Sequence, residues 1–292
     1  MSFGFKLSSL KKTFEPIEDK YDVVIVGAGP AGLTAAIYCA RYQLKTVVIA
    51  ESIGGLMSEA PLVDDYPGLP DTPGVELTNR FVKHVEKYHV PIITDMVINI
   101  TRAENGLWLV ETKSNRRIYS YAVILAIGSV KRKLNVPGEE KLIGKGVSYC
   151  ATCDAPFFKN KTVAVVGGGN SALTSALYLS NLASKVFLIH RRDKFRAFEV
   201  YVKQVLSNPR IEVLLNTIVK EIIGEDKVEA VKVENLISGE VRILNVDGVF
   251  IEIGSEPPRE FFEKIGVEID EKGYAKVNPD QSTNLPGIYV AG

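Results

Sequence analysis

Cys150 and Cys153 stand three positions apart in Cys150-Ala151-Thr152-Cys153-Asp154, close enough to close a small disulfide ring. Such a pair takes up or releases two electrons. Asp154 places an acid beside it, able to supply and recover a proton as thiol and thiolate interchange. A glycine-rich turn begins downstream at Gly167, and a second lies far upstream at Gly27. Turns of this kind hold the pyrophosphate of a dinucleotide. One dithiol with two nucleotide sites has the parts of an electron relay.

The elements that must position these residues are legible around each turn. The apolar run Asp22 to Val26 lacks alternation, as expected of a strand covered on both faces. It leads into Gly27-Ala28-Gly29-Pro30-Ala31-Gly32, a helical stretch LTAAIYCARYQ and a second strand, KTVVIAES. This is the dinucleotide fingerprint in its strand–turn–helix–strand setting. Gly27 permits the tight turn, Gly29 lets phosphates approach the backbone, and Gly32 lets helix and strand pack closely. Glu51 follows at the distance where a carboxylate accepts ribose hydroxyls. Gly54, Gly55 and Leu56 then open a long Gly- and Pro-rich loop containing Asp65. Further on the sequence predicts a helix near Val75–Tyr88, short strands in MVINI, LWLVET and RRIYS, and a separate buried strand AVILAIGS ending at Gly128-Ser129. Basic, proline-bearing KRKLNVPGEE reads as a linker between domains.

The second turn repeats the first at a constant offset of 140 residues. Gly27, Gly29 and Gly32 correspond to Gly167, Gly169 and Ala172, with Asn170 and Ser171 between the last two. The repeat continues through a helix near Phe198–Leu206 and strands IEVLLN, VEAVKVEN, VRILN and VFIEIGS. One plan is used twice, the second copy inserted into the first. The same offset carries Glu51 onto Arg191, with Arg192 and Arg196 close by in His190-Arg191-Arg192-Asp193-Lys194-Phe195-Arg196. A carboxylate at the ribose position repels a 2′-phosphate, whereas arginines bind one bidentately. The first site therefore suits a dinucleotide without that phosphate, and the second suits NADP(H). A solvated basic turn is the plainer explanation of the charges alone. A flavin converts hydride into thiol exchange, which nominates FAD for the Glu51 site.

A CxxC is also half of a structural zinc site, which needs two further ligands. The remaining cysteine, Cys39, falls inside the first helix as a small apolar side chain. His84 and His89 read as surface residues at a helix end, so no metal is expected. Zero formal net charge argues against nucleic acid or an anionic membrane as a bulk partner, and no apolar run is long enough to span a bilayer. Three cysteines do not make a secreted framework, which points to a reducing cytoplasmic compartment. At the N-terminus, Phe3, Leu7, Leu10 and Phe14 fall at helical spacing and read as an arm packed on its own domain or on a second subunit.

The motifs GAGPAG, GGL, DDYPG, CATCD, GGGNSA, HRRDKFRA and TNLPGIYVAG, in this order, resemble the low-molecular-weight thioredoxin reductases over roughly Tyr21 to Gly292. The resemblance implies an α/β fold of two Rossmann-like three-layer domains and a homodimer. It implies an FAD domain over 21–131 and 255–292, and an NADPH domain over 132–254 that carries the dithiol. It further implies that Cys153 is the thiol beside the flavin, that Cys150 attacks the disulfide of a thioredoxin or glutaredoxin-like protein, and that Asp154 is the acid/base. The FAD set becomes Gly27, Gly29, Pro30, Ala31, Gly32, Glu51, Gly54, Gly55, Leu56, Asp65 and Gly128. The NADPH set becomes Gly167, Gly169, Asn170, Ser171, Ala172, His190, Arg191, Arg192 and Arg196.

Dithiol and nicotinamide site share one domain yet must both reach one flavin, so that domain is expected to swing about Val130–Lys133 and Gly254–Ser255. Three departures from the family pattern stand out. Asp65 replaces a common Asn, and Thr174-Ser175 replaces a frequent Glu-Glu near the nicotinamide ribose. The family's AGD motif is met only as far as Gly292, so a flavin-binding aspartate and a last helix are expected to follow. Competing functions are a flavin-dependent dithiol oxidase, a reductase of a peroxiredoxin-type partner, and a non-catalytic nucleotide-binding scaffold.

Overall fold

The computed structural model describes residues 19–292, so the N-terminal helical spacing lies outside the described residues. Spatial contact divides the chain into two compact units. The described residues up to Gly55, with Asn79–Ile127 and Arg259–Gly292, form the first; Leu56–Thr78 and Gly128–Pro258 form the second.

The first unit begins with β1 (Lys20–Ala28), α1 (Pro30–Arg41) and β2 (Thr46–Ile53). A short helix, α2 (Leu56–Glu59), groups with the second unit, and the boundary runs through α3 (Gly74–Glu86). Then follow β3 (Ile92–Thr94), β4 (Val97–Arg102), β5 (Trp108–Thr112) and β6 (Arg117–Leu125). These strands lie in the order β3-β2-β1-β6-β5-β4. Side chains alternate across β1 as its pleat requires. Val23 and Ile25 pack against Leu33, Ala36 and Ile37 of α1, whereas Val24 and Val26 join Val110, Ile118 and Phe262 in a separate core. Each fully buried side chain of this size contributes roughly 1.5–3 kcal/mol.

One expectation is corrected here. RRIYS and AVIL are not two strands but the single strand β6, which ends at Leu125 rather than at Gly128-Ser129. No turn residue separates them, and β6 changes partners along its length. Arg117–Ser120 pair antiparallel with β5, while Tyr119–Leu125 pair parallel with β1 along the other edge.

The second unit opens with β7 (Val130–Lys131), β8 (Val147–Ser148) and the one-turn α4 (Ala151–Asp154). Next come β9 (Thr162–Gly167), α5 (Asn170–Ser180), β10 (Lys185–Ile189), α6 (Glu199–Ser207) and β11 (Ile211–Leu214). A meander of β12 (Thr217–Ile223), β13 (Ala230–Asn235) and β14 (Val241–Asn245) leads to β15 (Gly248–Glu252) and β16 (Ser255–Glu256). The parallel sheet has the order β11-β10-β9-β15-β8. One face packs Val163 and Val165 on Leu173 and Ala176 of α5. The other packs Ala164 and Val166 on Val219, Val231 and Leu244 of the meander. That is three layers: helix, parallel sheet and meander. Strand β12, with Val219 and Ile222 buried, went unread in the sequence because Lys220 and Glu221 interrupt its apolar pattern.

The repeat is visible in three dimensions. Adding 140 to Asp22–Gly27 and to Pro30 gives Thr162–Gly167 of β9 and the first residue of α5. KRKLNVPGEE belongs to the second unit and is not a free linker: Arg132 N–H donates to Gly254 O at 3.0 Å, where β7 and β16 pair antiparallel. The chain then returns to the first unit through α7 (Arg259–Ile265) and β17 (Ile288–Val290), the latter parallel to β6.

Candidate active site

Cys150 and Cys153 are joined in a disulfide, with Cα atoms 5.4 Å apart. Cys150 caps α4: its sulfur accepts the Cys153 N–H at 3.3 Å and lies 3.4 Å from Thr152 Oγ1. Ser148 fixes the approach, accepting the Cys150 N–H at 3.1 Å and donating to Cys150 O at 3.2 Å. Thr152 Oγ1 donates to Glu59 O at 2.8 Å. Cys153 is exposed, while Cys150 and Asp154 are half-buried. Cys39 is half-buried against the α1 core, and burial pushes its thiol up. His84 and His89 are exposed.

The residue before the dithiol is tied to a second loop. Tyr149 Oη donates to Glu139 at 2.6 Å, and burial together with that bond raises the phenol. Glu139 is buried and also accepts the N–H groups of Leu134 and Asn135 at 2.9 and 2.6 Å. Leu134 and Val136 line a cavity of about 580 Å³. Gly167 to Ser171, His190, Arg191, Arg192 and Arg196 line it too, so nearly the whole expected NADPH set is brought together. Ala172 lies just behind, fully buried, and a Cβ on Gly167 would approach its own at 2.7 Å. Gly169 is open on the side where a Cβ would stand. Backbone is therefore presented to a phosphate at the start of α5, as the fingerprint requires. Arg191, Arg192 and Arg196 make no ion pair among the described residues. Their charge faces a cavity free to take an anion.

His190 is buried, with Nε2 3.0 Å from Lys194 O. Burial, helped by Arg191 and Arg196, holds its pKa below the ordinary range, so the neutral ring donates to that carbonyl. The middle glycine, Gly168, was missed as a site residue: a Cβ there would meet His190 Nδ1 at 2.1 Å. The extra glycine of GGG, where the first copy has Ala28, was the available signal. Glu252 was missed as well. It lines the cavity, is 9% exposed, and is the one acid in an otherwise apolar strand. Its Oε1 accepts from Ser175 Oγ at 3.1 Å, and Oε2 lies 3.4 Å from Lys131 Nζ. Lys131 also pairs with Glu59 at 3.1 Å. Burial pushes the Glu252 carboxyl up, against the pull of Lys131. Burial also opposes the charge on Lys131, but the two carboxylates outweigh it and hold that pKa above its ordinary value.

In the first unit, Gly27 sits at φ +108°, and a Cβ would come within 2.1 Å of Ala126 O. A Cβ on Gly32 would stand 1.9 Å from Gly27 O, whereas Gly29 has open space. Pro30 occupies the first turn of α1 and Ala31 the next position, leaving free N–H groups toward Gly29. Glu51 is exposed at the end of β2, and Gly54 N–H donates to Ala28 O at 2.8 Å. Gly55 approaches Gly29 closely, a Cβ falling 3.5 Å from its Cα. This cradle fits the pyrophosphate and ribose of FAD. Leu56, Asp65 and Gly128 fall in the second unit; Leu56 and Asp65 are exposed, and Gly128 has φ +65°.

The chain is 40% identical to thioredoxin reductase of Bacillus subtilis over 94% of its length and 87% of the relative's. It is 36% identical to an alkyl hydroperoxide reductase subunit of Staphylococcus epidermidis, of which it spans 54%, about half the length. Thioredoxin reductase of T. acidophilum superposes with a TM-score of 0.87 at 37% identity, covering 94% of this chain and 90% of that one. That of Lactococcus lactis gives 0.86 at 36%, covering 93% and 89%. The family model for pyridine nucleotide-disulphide oxidoreductases matches residues 21–292. With two glycine cradles, an arginine-lined cavity and a closed dithiol in place, the chain belongs to the pyridine nucleotide-disulphide oxidoreductase family.

Proposed function

We propose that the chain is an NADPH-dependent thioredoxin-disulfide reductase. The observation that carries this is the closed Cys150–Cys153 bridge in the same unit as a dinucleotide cavity lined by three arginines. The likeness to thioredoxin reductases over most of their length supports it.

FAD and NADPH are the cofactors of the thioredoxin reductases. When bound, FAD couples the two-electron chemistry of a nicotinamide to that of a disulfide. Gly27 to Gly32, Glu51, Gly54 and Gly55 would hold its pyrophosphate and ribose, whereas the assignment of Leu56, Asp65 and Gly128 to FAD rests on the family resemblance alone. Gly167 to Ser171, backed by Ala172, would hold the pyrophosphate of NADPH, and Arg191, Arg192 and Arg196 would take its 2′-phosphate, while His190, tied to Lys194 O, positions their turn. Two electrons and two protons convert the Cys150–Cys153 bridge to a dithiol. The Cys150 thiolate attacks a partner disulfide sulfur, forming a mixed disulfide and releasing one partner thiol. Cys153 then attacks Cys150 Sγ, the bridge closes, and the second partner thiol leaves. The Cys153 N–H at 3.3 Å stabilises the Cys150 thiolate. Asp154 holds the proton exchanged with Cys153. A swing of the NADPH domain, a homodimer and a cytoplasmic location belong to the same proposal.

The test is reduction with NADPH followed by addition of an oxidised thioredoxin. Cys150→Ser is expected to keep bound flavin and lose thioredoxin reduction; retained turnover sinks the assignment. A second reading, reduction of a peroxiredoxin-type or glutaredoxin-like partner, is favoured by the half-length likeness to alkyl hydroperoxide reductase. Turnover with such a partner and none with thioredoxin selects it.

A further inference from the structure

The sheet of the second unit has its topological switch point between β9 and β15, the crevice where a dinucleotide crosses. The arginines follow β10, on one side of that crevice, so they mark the adenosine half. Glu252 ends β15 on the other side, in register with Gly167, the first glycine of the turn. The half of the cavity at Glu252 therefore receives what lies beyond the pyrophosphate.

A buried carboxylate there needs a reason, because taking one out of water costs several kcal/mol unless it is paired. Its partners are only partly compensating: Ser175 gives one hydrogen bond, and Lys131 is shared with Glu59. Two acids share one ammonium, leaving unspent negative charge at the cavity wall. Here the adjacent strand supplies a carboxylate, and Ser175 holds it.

We propose that Glu252, oriented by Ser175 and Lys131, is a positioning residue for the nicotinamide half of NADP(H). Loss of hydride turns a neutral nicotinamide ring into a cation, and fixed negative charge nearby favours the oxidised form. Glu252 therefore strengthens NADP⁺ binding without touching the adenosine half. This rests on the NADPH reading of the cavity.

Calorimetric titration of the holoprotein with NADP⁺ and with 2′,5′-ADP, which lacks the nicotinamide half, separates the possibilities. Glu252→Gln is expected to weaken NADP⁺ about tenfold, ~1.4 kcal/mol, and to leave 2′,5′-ADP unchanged. Ser175→Ala, which keeps the charge but frees it, is expected to give a smaller loss in the same direction, and it carries the test should Glu252→Gln not fold. Equal weakening of both ligands, or no weakening of NADP⁺, overturns the inference. If the unmutated protein fails to bind 2′,5′-ADP, the NADPH reading itself falls, and the inference with it.

Discussion

Gly168 and His190 share one space: a Cβ on the glycine would lie 2.1 Å from Nδ1 of the imidazole. His190 cannot retreat, since Nε2 is tied to Lys194 O and its ring stacks on Phe195 with centroids 5.5 Å apart. Gly168 O also accepts the Arg196 N–H at 2.7 Å, so the contact holds the arginine turn against the phosphate turn. Gly168→Ala is therefore expected to lower stability by roughly 1–3 kcal/mol, the cost of overpacking, and to weaken NADP⁺ binding. Urea denaturation of the holoprotein measures the first effect; an unchanged midpoint shows that the ring moves freely.

How much of this was legible varies with the physics of each feature. The two fingerprints could be read because they combine local backbone demands, Gly27 and Gly32 having no room for a side chain, with apolar strands on either side. The acid-to-base exchange at Glu51 and Arg191 needed only the repeat. Glu252 was not legible in the same way. Its partners Ser175 and Lys131 are 77 and 121 positions away, and nothing local pairs it with them. The merged strand β6 was hidden for a related reason: its pattern changes with its partners, not with its own residues.

Arg191 replaces an acid at the ribose position and lines the cavity without an ion-pair partner among the described residues. Removing one charge-assisted contact to a phosphate costs roughly 1.5–3 kcal/mol. Arg191→Ala is expected to weaken NADPH binding about ten- to a hundredfold on that scale, while leaving NADH binding nearly unchanged. Parallel titrations with the two nucleotides check it. Equal losses would mean that Arg191 does not read the 2′-phosphate.

The roles of the two thiols are open to direct trapping. In this structure the more exposed cysteine is Cys153, whereas the proposal gives attack on the partner to Cys150. Cys153→Ser is expected to leave a stable mixed disulfide between Cys150 and a thioredoxin that lacks its resolving cysteine and is supplied as its mixed disulfide with thionitrobenzoate, which leaves as the free thiolate. Mass spectrometry of the linked peptides identifies the sulfur involved. A mixed disulfide that forms with Cys150→Ser and not with Cys153→Ser reverses the assignment.

Glu252 also gives the fold a definite response to pH. Burial outweighs Lys131 and Ser175, so the carboxyl holds its proton in the folded chain to higher pH than in the unfolded one. Between the ordinary carboxylate pKa and that raised value, the folded state binds more protons, and stability falls as pH rises through the window. Glu252→Gln keeps an oxygen for Ser175 and leaves Lys131 its contact with Glu59, but has no proton to lose. The stability of the variant relative to the unmutated protein should therefore increase as pH is raised from about 4.3, the unperturbed glutamate value, and then level off. Denaturation midpoints of both proteins across this range measure the difference, from which titrating groups that do not face Glu252 cancel. A difference that stays flat would show that Lys131 fully compensates the buried carboxylate, and that no excess negative charge stands at the cavity wall.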